Sequence, residues 1–291
     1  MNTVSVIIPA FNETGAIGRT INEIQNVFQG ISVNCEIIVV NDGSTDATPE
    51  EARAAGARVI SHPHNIGYGR SLKTGISAAQ YDTILITDAD ATYPPKHIPE
   101  LLETYRRGYD MVVGARRGGH YRESAFKFTL RALLKFLVEF TAGRSIPDIN
   151  SGMRIFSKQT VLPYFHNLCD TFSFTTSMTL AYMMTSRFVT YQPIDYDKRV
   201  GQTKVKLFRD SLRTLQFIVE AILFYNPIKI FIVFSLLLLI GSAGFFTLAF
   251  LFKLNSAFYL GIGSILAAII MFGLGLQSVL LSKLLRASKE L

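Results

Sequence analysis

Residues 83–90 read Thr-Ile-Leu-Ile-Thr-Asp-Ala-Asp. The run Ile84-Leu85-Ile86 is apolar on every residue rather than on alternate ones, too short for a helix, and stops abruptly at two carboxylates. That is the pattern of a strand covered on both faces, as in a parallel sheet with helices above and below. The same grammar recurs on either side. Val4–Pro9 is a strand followed by Ala10-Phe11-Asn12-Glu13, and Cys35–Val40 is a strand followed by Asn41-Asp42-Gly43-Ser44-Thr45-Asp46. Arg58–Ser61 and Met111–Gly114 are two more, the latter leading to Arg116 and Arg117. Helical stretches fall between them at Gly15–Phe28, at Asp46–Ala55 behind a Ser-Thr-Asp capping cluster, and at Arg70–Ala79. Alternation of this kind predicts an α/β fold, a Rossmann-like and mostly parallel sheet flanked by helices. In such sheets ligands sit beyond the carboxyl ends of the strands.

Acids collect at that edge: Glu13, Asp42, Asp46, Asp88 and Asp90. Paired carboxylates repel a bare phosphate, but they seat a divalent cation that then receives a diphosphate, so Asp88 and Asp90 are the candidate ligands of Mg2+ or Mn2+. No Walker sequence is present, and Gly67-Tyr68-Gly69-Arg70 lacks the third glycine of a dinucleotide fingerprint. Cys35 and Cys169 have no His or Cys companions at metal spacing and read as reduced packing residues.

Charge divides along the chain. Residues 1–119 carry ten basic and thirteen acidic side chains, net −3, whereas residues 120–291 carry nineteen and nine, net +10. The basic half is also the apolar one. Lys229 and Lys253 bracket 23 uncharged residues, and Lys253 and Lys283 bracket 29 more. Each stretch can cross about 30 Å of hydrocarbon as a helix, which predicts spans at 228–252 and 257–281 joined by a tight loop at Lys253–Ser256. Lys198, Arg199, Lys204, Lys206, Arg209, Arg213 and Lys229 precede the hairpin, and Lys283, Arg286 and Lys289 follow it. The positive-inside rule therefore puts both ends, and the front half, on the cytoplasmic side. Thr3–Ala10 reads as a strand, without the basic leader or cleavage site of a secretory signal.

Two further segments suit a membrane surface. Residues 125–140 set Phe126, Leu130, Leu133, Leu134, Leu137 and Phe140 on one helical face, beside Lys127, Arg131 and Lys135. Residues 205–225 repeat the arrangement, with Arg209 and Arg213 beside Leu212, Leu215, Ile218, Val219, Ile222 and Leu223. Such helices lie in the interface, apolar side down. The organisation expected is a front domain over 1–204, an interfacial helix over 205–226 and a hairpin with its tail over 227–291. Interleaving of charge with membrane-seeking faces, and the lack of any recognition motif, argue against nucleic acid as partner. Gly261, Gly263, Gly273 and Gly275 are candidates for helix contacts in a homo-oligomer.

The motifs Val6-Ile7-Ile8-Pro9-Ala10-Phe11-Asn12-Glu13, Ile38-Val39-Val40-Asn41-Asp42-Gly43-Ser44-Thr45-Asp46, Asn65-Ile66-Gly67 and Asp88-Ala89-Asp90 resemble, in order, those of family 2 glycosyltransferases with the GT-A fold. Asp148-Ile149-Asn150-Ser151-Gly152-Met153-Arg154 and Lys198-Arg199-Val200-Gly201-Gln202-Thr203-Lys204 are similar to segments of the dolichol-phosphate mannose synthase branch and its bacterial undecaprenyl-phosphate relatives. The resemblance covers about residues 4–210. It implies that Pro9, Phe11, Glu13, Val40 and Asp42 hold the base and ribose of a nucleotide-sugar donor. Asp88, Ala89 and Asp90 would form the metal and diphosphate site, with Asp90 the principal ligand, and Arg199 and Lys204 would lie near the phosphates. Arg116 and Arg131, with Arg117 and Ser124, would dock the phosphate of a polyprenyl acceptor. Thr92 stands where the family often carries a side-chain amide ligand.

A lipid phosphate is a competent nucleophile at neutral pH, so the reaction needs no strong general base. It needs cations to dock the acceptor and a metal to stabilise the departing diphosphate. The expectation is metal-dependent, inverting transfer of a hexose to a polyprenyl phosphate. Two alternatives stand beside it: a processive polysaccharide synthase, disfavoured by the absence of tryptophan and by having only two spans, and a non-catalytic nucleotide-sugar-binding membrane protein, disfavoured by the intact strand-end acids.

Overall fold

The computed structural model describes residues 3–117, 136, 138–140, 142–197, 215–216, 218–220, 222–223 and 226–287. The chain forms two compact units, Met1–Phe217 and Ile218–Leu291.

The first unit is built on a seven-stranded sheet in the order β3-β2-β1-β4-β6-β5-β7. Its strands are β1 (Thr3–Ala10), β2 (Asn34–Asn41), β3 (Arg58–Ser61), β4 (Thr83–Ile86), β5 (Met111–Arg117), β6 (Arg154–Ser157) and β7 (Val189–Asp195). Helices α1 (Ile17–Gly30), α2 (Thr48–Ala54), α3 (Tyr68–Ala78), α4 (Ile98–Arg106), α5 (Lys158–Val161) and α6 (Phe174–Met184) connect and cover them.

Side chains of β1 alternate between two cores. Val4, Val6 and Ile8 join Ile17, Ile21, Ile24 and Phe28 of α1, which recur at intervals of three and four on one helical stripe. Ile7 faces the other way, against α3. A Cβ on Gly75 of α3 would lie 2.3 Å from Ile7 Cγ2 and 3.1 Å from Val40 Cγ2. Glycine there lets the helix sit directly on the sheet.

The predicted strands are all present, and the sheet is mostly parallel as expected. Strand β5 runs on to Arg117, so Arg116 and Arg117 belong to the strand itself. Strands β6 and β7 and helix α4 add to the elements anticipated. Strand β6 is antiparallel to both neighbours, pairing Ile86 and Val113 with Arg154. A reversed strand begins where its neighbours end. The residues leading into β6 are thereby delivered to the carboxyl edge of β4 and β5.

The second unit holds α7 (Ile228–Phe252) and α8 (Asn255–Ala287). Both are long and apolar enough to cross a membrane, and only 11% of each apolar window is buried within the protein. Ile240, Phe250, Ile269 and Leu284 are between 62% and 86% exposed, and leaving each such side chain in water forfeits roughly 1.5–3 kcal/mol. The two helices lie along each other through small residues. Ser235 Oγ donates to Ala268 O at 3.1 Å and Ser242 Oγ to Gly261 O at 2.8 Å. The turn is tighter than predicted: Lys253, in a left-handed conformation at φ 54°, and Leu254 alone separate the helices. The four glycines divide. Cβ atoms on Gly261 and Gly275 would strike Phe246 and Phe231 at 2.8 Å and 2.7 Å, so these two serve the hairpin's own packing, whereas Gly263 and Gly273 open outward.

Candidate active site

The loops after β1 and β2 are knitted together by polar bonds. Asn12, at φ 51°, accepts from Thr45 N through Oδ1 and donates its own N–H to Ser44 Oγ. Glu13 N donates to Thr48 Oγ1 at 2.8 Å, and Asp46 accepts from Thr14 N and Thr48 N. Aspartate here satisfies donors at the start of α2 that the helix cannot pair internally.

Asp42, the residue just after β2, is almost wholly buried. Its carboxylate accepts from Ile66 N at 3.0 Å and Gly67 N at 2.9 Å, and lies 2.9 Å from His62 Nδ1, whose other ring nitrogen meets Thr74 Oγ1 at 3.1 Å. The aspartate expected to receive a nucleotide therefore also fixes the 62–67 loop. Val40 is fully buried with its side chain against α3. That side chain packs in the core, which leaves the Val40 backbone as the part available to a donor. Pro9 is buried beside Val40 in the β1–β2 register, whereas Phe11 and Glu13 are partly exposed beyond the strand end.

At the end of β4, Asp88 and Asp90 are each gripped by a hydroxyl. Tyr68 Oη donates to Asp88 Oδ1 at 2.9 Å, and Thr92 donates to Asp90 Oδ1 from Oγ1 at 2.6 Å and from N at 3.2 Å. Ala91 between them takes a left-handed φ of 58°, costing roughly 1 kcal/mol and turning the chain sharply after Asp90. Thr92, which stands where the family often carries a side-chain amide ligand, orients Asp90 through these two bonds. Thr20 Oγ1 donates to the carbonyl of the buried Ala89 at 3.2 Å.

The segment preceding β6 closes on Asp88. A Cβ on Gly152 would lie 2.7 Å from both oxygens of Asp88, and Gly152 N donates to Tyr93 Oη at 2.8 Å. Arg154, 0% exposed, braces the turn by donating to the carbonyls of Ser151 at 2.8 Å and Ile149 at 2.7 Å and to Thr179 Oγ1 at 2.7 Å. Burial lowers its pKa below the ordinary arginine value. Burial likewise pushes the Tyr93 phenol far up, keeping it neutral.

Arg116, expected from the sequence to dock an acceptor phosphate, holds Asp148 with both arms of its fork, Nε to Oδ2 at 2.7 Å and Nη2 to Oδ1 at 2.8 Å. Its guanidinium lies 5.3 Å from the centre of the Tyr196 ring. Planar bidentate pairing of a largely desolvated arginine and carboxylate is strong and directional. Burial acts to raise the Asp148 pKa, but the bonds and charge of Arg116 outweigh it and leave the carboxyl below its usual range. Arg117 is exposed at the end of β5. Asp197, just before the Lys198–Lys204 motif, donates its N–H to Thr92 O at 2.9 Å. Ser124, Arg131, Arg199 and Lys204 lie outside the described residues, as do most of residues 125–140 and 205–225.

Tyr68, Tyr93, Asp148 and Arg154 are the functional neighbours that sequence pattern alone does not single out. Their one visible signal is position, within or beside motifs whose other members carry acids. Among the described residues no group of three or more His, Cys, Asp or Glu could hold a metal. Asp88 and Asp90 lie together after one strand end, a pair of carboxylates that would suit Mg2+ or Mn2+ completing its shell with phosphate and water. A cavity of about 810 Å³ lies along α3, lined by Arg70, Lys73, Thr74 and Asp170 among others.

A Rossmann-like sheet with carboxylates at its carboxyl edge is the architecture of nucleotide-sugar enzymes, and comparison with known proteins agrees. Residues 5–164 match glycosyl transferase family 2, and the chain belongs to that family. It is 29% identical over 211 residues to a dolichyl-phosphate hexose transferase of Haloferax volcanii, covering 70% of this chain and 87% of that one. It is 30% identical over 169 residues to an undecaprenyl-phosphate 4-deoxy-4-formamido-L-arabinose transferase of Edwardsiella ictaluri, covering 56% of this chain and only about half, 51%, of the relative. The crystal structure of glucosyl-3-phosphoglycerate synthase from Mycobacterium tuberculosis with Mn2+, UDP and phosphoglyceric acid superposes with a TM-score of 0.61 at 23% identity, covering 76% of this chain and 78% of that one. At that identity the likeness speaks for the fold.

Proposed function

We propose that the protein transfers a hexose from a UDP- or GDP-sugar to a polyprenyl phosphate, undecaprenyl or dolichyl, at the cytoplasmic face of a membrane. One observation carries the reading: Asp88 and Asp90 stand at the sheet edge, Asp88 directly against Gly152 of the segment 148–154, in a chain whose other unit holds two helices of membrane-spanning length. The relatives named for dolichyl-phosphate and undecaprenyl-phosphate transfer support the acceptor class. The Mn2+ and UDP of the mycobacterial enzyme support the donor class.

In this account the β1 and β2 loops, with Phe11, Glu13 and Asp42, receive the nucleoside. Asp88 and Asp90 hold Mg2+ or Mn2+, which when bound supplies positive charge for the departing diphosphate. A phosphate oxygen of the lipid forms the new bond to the anomeric carbon as the bond to the nucleoside diphosphate breaks on the opposite side, inverting that centre. The acceptor arrives ionised, so no side chain need remove its proton. Arg131 and Arg117, with Ser124, dock the acceptor, and Arg199 and Lys204 approach the phosphates. Arg116 shapes the site through Asp148. Residues 1–204 form the catalytic domain, 205–226 an interfacial helix and 227–291 the membrane hairpin.

The test is the thermal midpoint of the full chain with UDP, GDP and their sugars, with and without Mn2+. A donor at 100 times its Kd stabilises by about 2.7 kcal/mol. One nucleotide series should raise the midpoint only with Mn2+, and the rise should vanish in Asp90→Asn. No shift with any of them contradicts the reading. Arg131→Ala should raise the requirement for lipid acceptor more than for donor in a transfer assay.

A further inference from the structure

Asp88 is fixed from two sides. Gly152 abuts both carboxylate oxygens, and the Tyr68 hydroxyl holds Oδ1 at 2.9 Å. Tyr68 opens α3, immediately after Gly67, whose φ of 117° only glycine adopts without strain. Its ring stacks on Phe172 with centroids 5.7 Å apart and planes 11° from parallel. Phe172 is 45% exposed, although a large apolar side chain gains by burial. The segment that carries it is bolted to the start of α3. Arg70 N donates to Asp170 O at 2.9 Å, Lys73 Nζ reaches Leu168 O and Asp170 Oδ1, each at 2.6 Å, and a Cβ on Gly69 would fall 2.3 Å from Cys169 O. Two glycines and three polar bonds thus bring an exposed phenylalanine flat against a tyrosine whose hydroxyl touches the Asp88 carboxylate.

We propose that Tyr68 is a positioning residue that sets the Asp88 carboxylate for the divalent cation, and that Phe172 splints the Tyr68 ring from the solvent side. The inference rests on the reading of Asp88 as a metal ligand. A hydrogen bond to a ligating carboxylate fixes which lone pairs face the ion, and loss of such a partner typically weakens metal affinity about 10-fold or more.

The experiment titrates Mn2+ into the full chain in lipid nanodiscs, followed by the EPR signal of free Mn2+, with saturating UDP and separately with GDP. Tyr68→Phe keeps the ring and its stack and deletes only the hydroxyl. It should raise the Mn2+ Kd about 10-fold at an unchanged thermal midpoint. Phe172→Ala should raise it less, also without loss of stability, because the side chain is half exposed. Asp88→Asn should lose the site. Wild-type Mn2+ affinity in Tyr68→Phe, whatever its midpoint, overturns the proposal while leaving the metal reading intact. Should Tyr68→Phe lose both affinity and stability, Phe172→Ala decides: weakened Mn2+ binding at full stability upholds the positioning role, and unaltered binding overturns it. No Mn2+ binding by the wild-type chain with either nucleotide, or full binding in Asp88→Asn, overturns the metal reading and the proposal together.

Discussion

The two sides of the sheet edge are held by different forces. On the β1–β2 side, loops 10–15 and 42–48 are joined by side chains bonding to backbone N–H groups, in places open to water. On the β4–β6–β5 side lie a desolvated ion pair, a buried arginine, the buried Tyr93 and the half-buried Tyr68. Neutral bonds of the first kind contribute about 1 kcal/mol each. Removing one partner of a buried ion pair costs about 3–5 kcal/mol. A nucleoside can be received by adaptable polar loops. A diphosphate that gains charge as it leaves requires carboxylates and dipoles already fixed in place.

That contrast can be broken at graded strengths. Asp90→Asn should lower transfer roughly 10²–10³-fold or more, while the chain still inserts in membranes; near-normal turnover would remove the metal site from this edge. Asp148→Asn should destabilise the first unit by about 3–5 kcal/mol, read by chemical denaturation, because Arg116 would be left buried without its partner. The same pair sets an acid limit. Its folded carboxyl titrates below the unfolded value of about 3.9, so its contribution is complete above that pH and disappears as pH falls through the folded pKa. A denaturation midpoint that stays flat between pH 5 and 2 in the wild type, or falls equally in Asp148→Asn, would count against it.

Gly152→Ala should fold yet displace Asp88, with a loss of roughly 10²-fold in kcat; unchanged kcat would mean that Asp88 tolerates movement. Thr48→Val on the other side strands Glu13 N and should cost only about 1 kcal/mol, with kcat preserved and the donor KM raised. A larger effect there than at Gly152 would invert the comparison.

The same divide explains what could be read from residues alone. Much of the parallel half was legible because β2 and β4 are short apolar runs leading to an acid, as at Ile84–Asp90 and Ile37–Asp42. Both membrane-length helices were legible because uncharged runs of that length have few other uses. Strand β6 was hidden: Arg154-Ile155-Phe156-Ser157 is brief, opens with a charge, and owes its place to long-range pairing with β4 and β5. Arg116 illustrates the limit at the site. A basic residue at a strand end signals anion binding, but nothing local reveals that Asp148, 32 positions later, folds back to claim it. Tyr68 was visible only as a failed glycine fingerprint, since its contact with Asp88 depends on how α3 enters the sheet.

The most direct test of the central claim is transfer itself. The purified full chain in nanodiscs containing undecaprenyl or dolichyl phosphate is incubated with Mn2+ and each of a panel of radiolabelled UDP- and GDP-hexoses, and the label entering the organic phase is counted. The account predicts that one donor gives lipid-linked label that requires the polyprenyl phosphate and disappears in Asp90→Asn. Label that stays aqueous with every donor, or that enters the lipid equally well in Asp90→Asn, would contradict it.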